Sequence, residues 1–296
     1  MSTNPIFTGA GVAIVTPFHE DGSVNYECLT KILEDQIANS TDAIVICGTT
    51  GESATLNPKE HLDVIKYTVD VVNHRIPVIA GTGSNETAYA VELSNDAEKA
   101  GADALLIVTP YYNKASQRGL VKHYTYIADR VSSPIIIYNV PSRTGVNVLP
   151  ETYAELSEHK NIIGAKEASG NLSQIAQTIA LCGDNLDVYS GNDDQIVPIM
   201  SLGGKGVISV LSNICPKIAH DIPSLYLDGK CKESAELQLK YLKLCNAMFM
   251  DVNPIPVKVA MNMMGMDVGP LRLPLCEMDD AKTEKLHSIL AEYGLV

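Results

Sequence analysis

The 296-residue sequence has little positive charge: 22 Lys and Arg stand against 35 Asp and Glu, for a formal net charge of −13. No basic run offsets this charge locally. Such a balance disfavours binding to nucleic acid or to anionic lipid, because both repel a negatively charged surface. We therefore expect neither as a partner, and we expect any anionic substrate to be held by a local group of donors.

Long apolar segments and paired cysteines are also missing. No apolar run reaches the roughly 20 residues that a membrane-spanning helix needs, and no basic segment precedes the first apolar stretch, as a signal peptide would require. The seven cysteines are scattered, with no Cys-x-x-Cys pair. This usage is typical of reduced thiols in cytosolic proteins. We expect a cytoplasmic protein with no membrane segment.

Apolar material is plentiful, since 46% of the residues are hydrophobic. Short, nearly continuous apolar runs recur along the first two-thirds of the chain. They cover residues 11–15, 43–47, 77–80, 104–108, 134–138, 162–166, 186–189 and 206–210. Strands that are apolar on both faces belong to buried parallel sheets, so these runs predict eight parallel strands.

Segments with helical periodicity lie between the runs. The clearest begins at Asn57, a predicted N-cap, followed by Pro58 at the first helical position and Glu60 as its capping-box partner. Strand and helix alternate eight times, which favours a closed (β/α)8 barrel of the TIM type over an open doubly wound sheet.

The strand pattern stops near residue 222, and three segments with helical character follow, at 233–250, 256–264 and 279–293. We therefore predict a barrel over residues 1–221 and a C-terminal helical region, 222–296, packed on it.

Lys166 ends the sixth apolar run, where barrels of this type carry their active sites. Its aliphatic stem begins inside the barrel, and desolvation lowers the pKa of such an amine, which makes it a nucleophile toward carbonyl groups. The alternative is a structural lysine that reaches the rim or pairs with Glu167. Position alone leaves both interpretations open.

Other polar residues follow neighbouring runs. Gly48–Gly51 can present amides and two hydroxyls to a small carboxylate, although no Walker lysine follows. Tyr138 and Tyr112 are candidates for proton transfer or for simple packing. Arg143 is suited to clamp a carboxylate or to stabilise its own loop.

Five segments together resemble the 4-hydroxy-tetrahydrodipicolinate synthase (dihydrodipicolinate synthase) family, over nearly the whole chain from Gly9 onward. They are residues 48–53, 138–145, 164–168, 253–258 and 271–274. The resemblance implies a lyase that joins pyruvate, held as a Schiff base, to L-aspartate 4-semialdehyde. That reaction is the committing step of the diaminopimelate route to lysine. It implies no cofactor and no metal.

The same resemblance assigns roles to individual residues. Lys166 forms the imine, Tyr138 donates and accepts protons, and Thr49 and Tyr112 complete the relay. The family's counterpart of Tyr112 reaches into a neighbouring subunit, which implies a homo-oligomer, with a tetramer expected and a dimer as the catalytic unit. The residues expected to bind substrates are Thr50, Ile208 and Gly191, and Arg143 for the carboxylate of the second substrate.

A feedback site for L-lysine is a further property of many family members. The residues that stand at its positions are Ser53, Ala54, His61, Asn85, Tyr89 and Tyr111. However, Tyr89 replaces a glutamate of the lysine-sensitive members and Pro58 replaces a histidine. Loss of a charged partner weakens binding of a cationic effector, so we expect weak or absent inhibition by lysine.

Rival functions differ in the second substrate or in catalysis. Another pyruvate-dependent aldolase, such as a sialic-acid lyase or a 2-keto-3-deoxy sugar acid aldolase, would share Lys166 and Tyr138, but Arg143 favours a short carboxylated aldehyde over a polyol. A non-catalytic keto-acid sensor predicts a damaged relay, whereas every relay residue is present. A metal-dependent hydrolase is disfavoured because the seven histidines are dispersed.

Overall fold

The computed structural model describes residues 5–296, which form a closed barrel of eight parallel strands. Strands pair in chain order, and the last pairs with the first. They are β1 (Gly9–Ala13), β2 (Ala43–Ile46), β3 (Val78–Gly81), β4 (Ala104–Val108), β5 (Ile135–Asn139), β6 (Ile162–Glu167), β7 (Asp187–Ser190) and β8 (Gly206–Ser209). The predicted (β/α)8 fold is confirmed. Residues 1–4, part of the segment in which no signal peptide is expected, lie outside the described range.

Helices surround the barrel and continue beyond it. They are α1 (Tyr26–Ala38), α2 (Pro58–Val72), α3 (Thr87–Lys99), α4 (Gln117–Ala128), α5 (Pro141–Thr144), α6 (Pro150–Leu156), α7 (Leu172–Cys182), α8 (Ile196–Ser201), α9 (Pro216–Leu227), α10 (Cys231–Ala247), α11 (Ile255–Met263) and α12 (Asp280–Glu292). Helix α2 begins with the predicted capping box between Asn57 and Glu60. Within residues 5–296, no helix has the length and apolarity needed to cross a membrane.

The apolar core has two layers. A large cluster fills the space between strands and helices, and a second cluster fills the barrel itself. This inner cluster contains Phe7, Ala13, Ala43, Val45, Ile79, Ala104, Leu106, Ile136, Tyr138, Val140, Tyr189 and Ile208. Phe7, which precedes β1, stacks on Tyr189 with 4.5 Å between ring centroids. Apolar side chains therefore fill the barrel from the N-terminal ends of its strands. The polar side chains lie at the C-terminal ends.

The C-terminal helices are tied to the barrel by a buried ion pair. Lys258 on α11 donates to Glu52 Oε1 at 2.9 Å, and both side chains are almost fully buried. Its Nζ also donates to the carbonyl oxygens of Thr16 and Pro270, while the other Glu52 oxygen accepts from the Arg272 amide. The ammonium and the carboxylate are thus both satisfied, and the loop after β2 is fixed to the tail.

The predicted division at residues 221 and 222 falls inside α9, which continues to Leu227. Helix α9 packs against β1 and β8, so it completes the eighth strand–helix unit. The division into barrel and helical region remains a prediction, and we propose to place its boundary at Gly229, between α9 and α10.

Replacing Lys258 by Met should lower the free energy of unfolding by about 3–5 kcal/mol, because Glu52 would keep a buried charge without its partner. Urea denaturation of the purified protein measures this change. The control is Lys31→Met, which removes a pair between two largely exposed side chains and should cost no more than about 1 kcal/mol. Equal losses in the two variants would contradict the proposed importance of the buried pair.

Candidate active site

Lys166 and Glu167 lie on opposite faces of β6, because successive residues of a strand alternate in direction. Lys166 points into the barrel and is only 5% exposed. The Glu167 carboxylate accepts hydrogen bonds from three other side chains, those of Asn139, Tyr153 and Ser169. The alternative in which Lys166 pairs with Glu167 is therefore wrong.

The Lys166 amine is buried without an acceptor. Its Nζ makes no hydrogen bond or ion pair within residues 5–296 and lies 4.3 Å from the centroid of the Tyr138 ring. Burial lowers the pKa of Lys166 to about 8, against an opposing attraction from the Asp193 carboxylate and with a smaller contribution from the Arg143 charge. A sizeable fraction is therefore neutral near physiological pH, as nucleophilic attack on a carbonyl requires.

Tyr138 stands beside Lys166, since β5 and β6 pair these two residues in register. Burial raises the pKa of the Tyr138 phenol, whereas the Arg143 charge and the Thr49 side chain act in the opposite direction. The phenol thus stays protonated at neutral pH. Thr49 and Arg143 favour its ionised form, so a proton can leave and return during a reaction at the neighbouring amine.

The loop after β2 has the layout expected of a carboxylate site. The amides of Gly51 and Glu52 are used in turns, donating to the carbonyls of Gly48 and Thr49. The amides of Thr49 and Thr50 donate to no acceptor within residues 5–296. Two adjacent free amides and a hydroxyl are a set of donors that suits a small anion.

Arg143 lies on α5, at the same end of the barrel. Its Nη2 donates to the main-chain oxygen of Asn253 at 3.1 Å, and its side chain is otherwise exposed. The remaining guanidinium donors are free for a carboxylate. Arg143 thus supplies positive charge at the mouth of an acidic protein.

Ile208 and Gly191 differ from the polar residues because they offer main-chain groups, and not side-chain groups, to a ligand. Ile208 lies on β8 with its apolar side chain in the inner cluster, so its main chain is the polar group that it can offer to a ligand. The Gly191 amide donates to Glu167 O at 2.7 Å, and a Cβ at Gly191 would lie 2.7 Å from that of Ala168. The close approach explains the glycine and leaves its carbonyl as the group available to a substrate.

Tyr112 is the one predicted catalytic residue that the single chain does not bring into the site. Its side chain is 89% exposed, and its backbone has a φ of +73°, in the left-handed region. A bulky residue in this region carries backbone strain.

The predicted effector residues lie in the short turn Ser53–Thr55, at the starts of α2 and α3 and in the loop after β4. His61 is buried, and its Nε2 is engaged with Gly81 O at 2.8 Å. Burial raises the pKa of the Tyr89 phenol, with further contributions from Glu92 and then Tyr111. One nitrogen of the His61 ring is thus used in a hydrogen bond within the fold. At position 89 the side chain is a phenol and not a carboxylate.

Two residues at the site have no role that the sequence predicted. Asp193 follows β7, and its Oδ2 accepts from the amides of Val210 and Leu211 at 3.0 and 2.9 Å. Its Oδ1 is buried without a protein partner. Asn253, in the C-terminal region, touches both Thr50 and Arg143. The position of Asp193 at a strand end was a usable indication, whereas nothing in the sequence indicated the contacts of Asn253.

A (β/α)8 barrel with a buried, unpaired lysine beside a tyrosine at its C-terminal mouth has the layout of a lyase that forms Schiff bases with carbonyl substrates. The model of the Dihydrodipicolinate synthetase family matches residues 6–293, and the chain belongs to that family.

Close relatives cover the chain almost completely. A 4-hydroxy-tetrahydrodipicolinate synthase of Thermoanaerobacter sp. (strain X514) is 57% identical over 99% of this chain and 98% of the relative. The solved dihydrodipicolinate synthase from Aquifex aeolicus is 44% identical, with a TM-score of 0.95 over 98% of this chain and 99% of its own. A structure described as the first monomeric dihydrodipicolinate synthase variant is 43% identical, with a TM-score of 0.96 over 98% of each chain.

The rate of imine formation with pyruvate should rise with pH through about 8 and then level off, because only the neutral Lys166 amine attacks. Asp193→Asn should move this curve to lower pH, since the lost carboxylate favours the ammonium. Borohydride trapping at a series of pH values measures the rate. Asp194→Asn, at the exposed neighbour, is the matched control. A curve that Asp193→Asn leaves in place, or shifts upward, would show that Asp193 does not act on Lys166.

Proposed function

We infer that the protein is a 4-hydroxy-tetrahydrodipicolinate synthase, a lyase that condenses pyruvate with L-aspartate 4-semialdehyde at the start of the diaminopimelate route to lysine. The observation that carries this function is the amine of Lys166, buried, without an acceptor and beside Tyr138. Relatives of the same name over the whole chain support it.

The roles proposed for the residues follow the chemistry of an imine. Lys166 Nζ adds to the pyruvate carbonyl carbon, and water leaves as the imine forms. Loss of a methyl proton gives the enamine, whose carbon forms a bond with the aldehyde carbon of the second substrate. Tyr138 supplies the proton that the new hydroxyl requires, with Thr49 as its partner in the relay. The amino group of the second substrate then attacks the imine carbon, closes the ring and releases Lys166.

Substrate binding is proposed for the donors that surround the amine. Thr50, the free loop amides, Ile208 and Gly191 hold pyruvate, and Arg143 receives the carboxylate of the aldehyde. A bidentate Arg–carboxylate contact is both strong and directional. Arg143 at the mouth therefore favours this aldehyde over the polyols that other pyruvate aldolases use.

Oligomerisation and location belong to the same proposal. In this proposal the exposed phenol of Tyr112 completes the relay of a second subunit, so a dimer is the catalytic unit and a tetramer is the expected assembly. Tyr112 has no such role in an isolated chain, where its side chain faces solvent. The buried free cysteines, Cys28, Cys47, Cys182, Cys215 and Cys245, support a reducing compartment, and we place the protein in the cytoplasm.

Tyr138→Phe should lower kcat by about 10²–10⁴ while the fold is retained, because the proton relay is lost but the packing of the ring is kept. Coupled turnover with pyruvate and L-aspartate 4-semialdehyde measures this effect. Tyr126→Phe, which removes a hydroxyl from a largely exposed tyrosine on α4, is the control. Turnover by Tyr138→Phe within a few-fold of the unaltered protein would remove Tyr138 from the relay. If the unaltered protein turns over a sugar-derived aldehyde and not L-aspartate 4-semialdehyde, the rival aldolases would be favoured.

Inhibition by L-lysine should be weak or absent, because a phenol at Tyr89 offers no charge to a cationic effector. The same turnover assay, with lysine up to millimolar concentration, tests this expectation. Tyr89→Glu should restore sensitivity if the remaining effector residues are competent. An inhibition constant well below millimolar for the unaltered protein would contradict it.

A further inference from the structure

Asn253 connects the two predicted substrate subsites through separate atoms. Its side-chain Nδ2 donates to Thr50 Oγ1 at 3.0 Å in a buried contact, whereas its main-chain oxygen accepts from Arg143 Nη2. Thr50 lies in the proposed pyruvate loop and Arg143 on the helix proposed to hold the second substrate. A change of the Asn253 side chain therefore alters the first contact directly and leaves the atom that makes the second in place.

The amide of Asn253 determines the direction of the Thr50 hydroxyl. A hydroxyl carries one proton and two lone pairs. Because Nδ2 occupies a lone pair and Thr50 Oγ1 has no other partner within residues 5–296, the hydroxyl proton is free to point at a ligand. An anionic acceptor, such as a carboxylate, is the group that gains most from such a donor.

The Asn253 side chain is held by this one bond. Asn253 is 5% exposed, and its Oδ1 is buried without a protein partner. The contact with Thr50 Oγ1 is therefore the single hydrogen bond that the side chain makes within residues 5–296. No other contact of the same side chain compensates for its loss.

We propose that Asn253 is a positioning residue for pyruvate binding, which acts by orienting the Thr50 hydroxyl as a donor toward the substrate carboxylate. This inference rests on the proposed function, because it takes pyruvate as the ligand of the loop after β2. It assigns to the C-terminal region a part in substrate affinity, exerted through Thr50, beyond packing on the barrel.

The decisive comparison is between Asn253→Asp and Asn253→Ala. Aspartate keeps the shape of asparagine but accepts where the amide donates, so the Thr50 hydroxyl turns toward it and away from pyruvate. Alanine leaves the hydroxyl without this partner and free to turn to the substrate.

We expect Asn253→Asp to raise the KM for pyruvate roughly 10- to 100-fold, the range for a lost charge-assisted hydrogen bond, and Asn253→Ala to raise it less. The KM for the aldehyde should change less than about threefold in both variants, because Arg143 uses the main-chain oxygen. A role in packing alone predicts the reverse order, with the isosteric variant closer to the unaltered protein.

A Thr50→Val background separates orientation of the hydroxyl from direct repulsion between the introduced carboxylate and the substrate. If the effect passes through Thr50, adding Asn253→Asp to Thr50→Val should change the KM for pyruvate less than about threefold. A full additional effect in that background would overturn the proposal, as would a larger effect of alanine than of aspartate. Thermal unfolding of each variant confirms the fold, and if the alanine variant does not fold, the cycle between Thr50→Val and Asn253→Asp decides alone.

The unaltered protein separates failure of this inference from failure of the proposed function. The role of Asn253 alone would be overturned if the unaltered protein traps pyruvate and turns over normally while Asn253→Ala raises the KM for pyruvate more than Asn253→Asp does. Absence of both trapping and turnover in the unaltered protein would overturn the function and the inference with it.

Discussion

Burial of an amine that has no carboxylate partner is the constraint on which the site depends. Two lysines are buried within residues 5–296, Lys166 and Lys258, and burial lowers the pKa of both. Lys258 has Glu52 and two carbonyls as acceptors, so its ammonium is stabilised and serves the fold. Lys166 has no such acceptor. Desolvation therefore destabilises its ammonium form, and the neutral, nucleophilic amine becomes more populated. The same residue type is structural in one place and reactive in the other.

The surroundings of Lys166 follow from closure of the barrel. Parallel strands bring the ends of β2, β5, β6 and β7 to one mouth, so Thr49, Tyr138 and Asp193 meet around the amine although they are far apart in sequence. The C-terminal region then holds the loops in place, through Lys258 at Glu52 and through Asn253 at Thr50 and Arg143. A site on loops thereby gains the rigidity that precise chemistry requires.

Much of this arrangement was predictable from the sequence, because buried parallel strands leave continuous apolar runs. All eight strands lie at the predicted runs, and β1 begins earlier only because Gly9 and Ala10 pair with Gly206 and Val207. Lys166 and Tyr138 were candidates because a polar side chain at a strand end is visible locally, but their catalytic roles were predicted from the family resemblance and not from position. The bond between Asn253 and Thr50 joins residues 203 positions apart, so no local pattern could indicate it. The predicted boundary at residue 221 falls inside α9, because a helix that packs on β8 has the same periodicity as one in the tail.

The most direct test of the account is to identify the lysine that carries pyruvate after reduction with borohydride. Digestion and mass spectrometry of the reduced protein would locate the added mass. The account predicts one modified residue in each chain, Lys166, with Lys258 unmodified because its ammonium is paired. Modification of Lys258 or of an exposed lysine in place of Lys166, or no modification at all, would contradict the claim that an unpaired buried amine is the nucleophile.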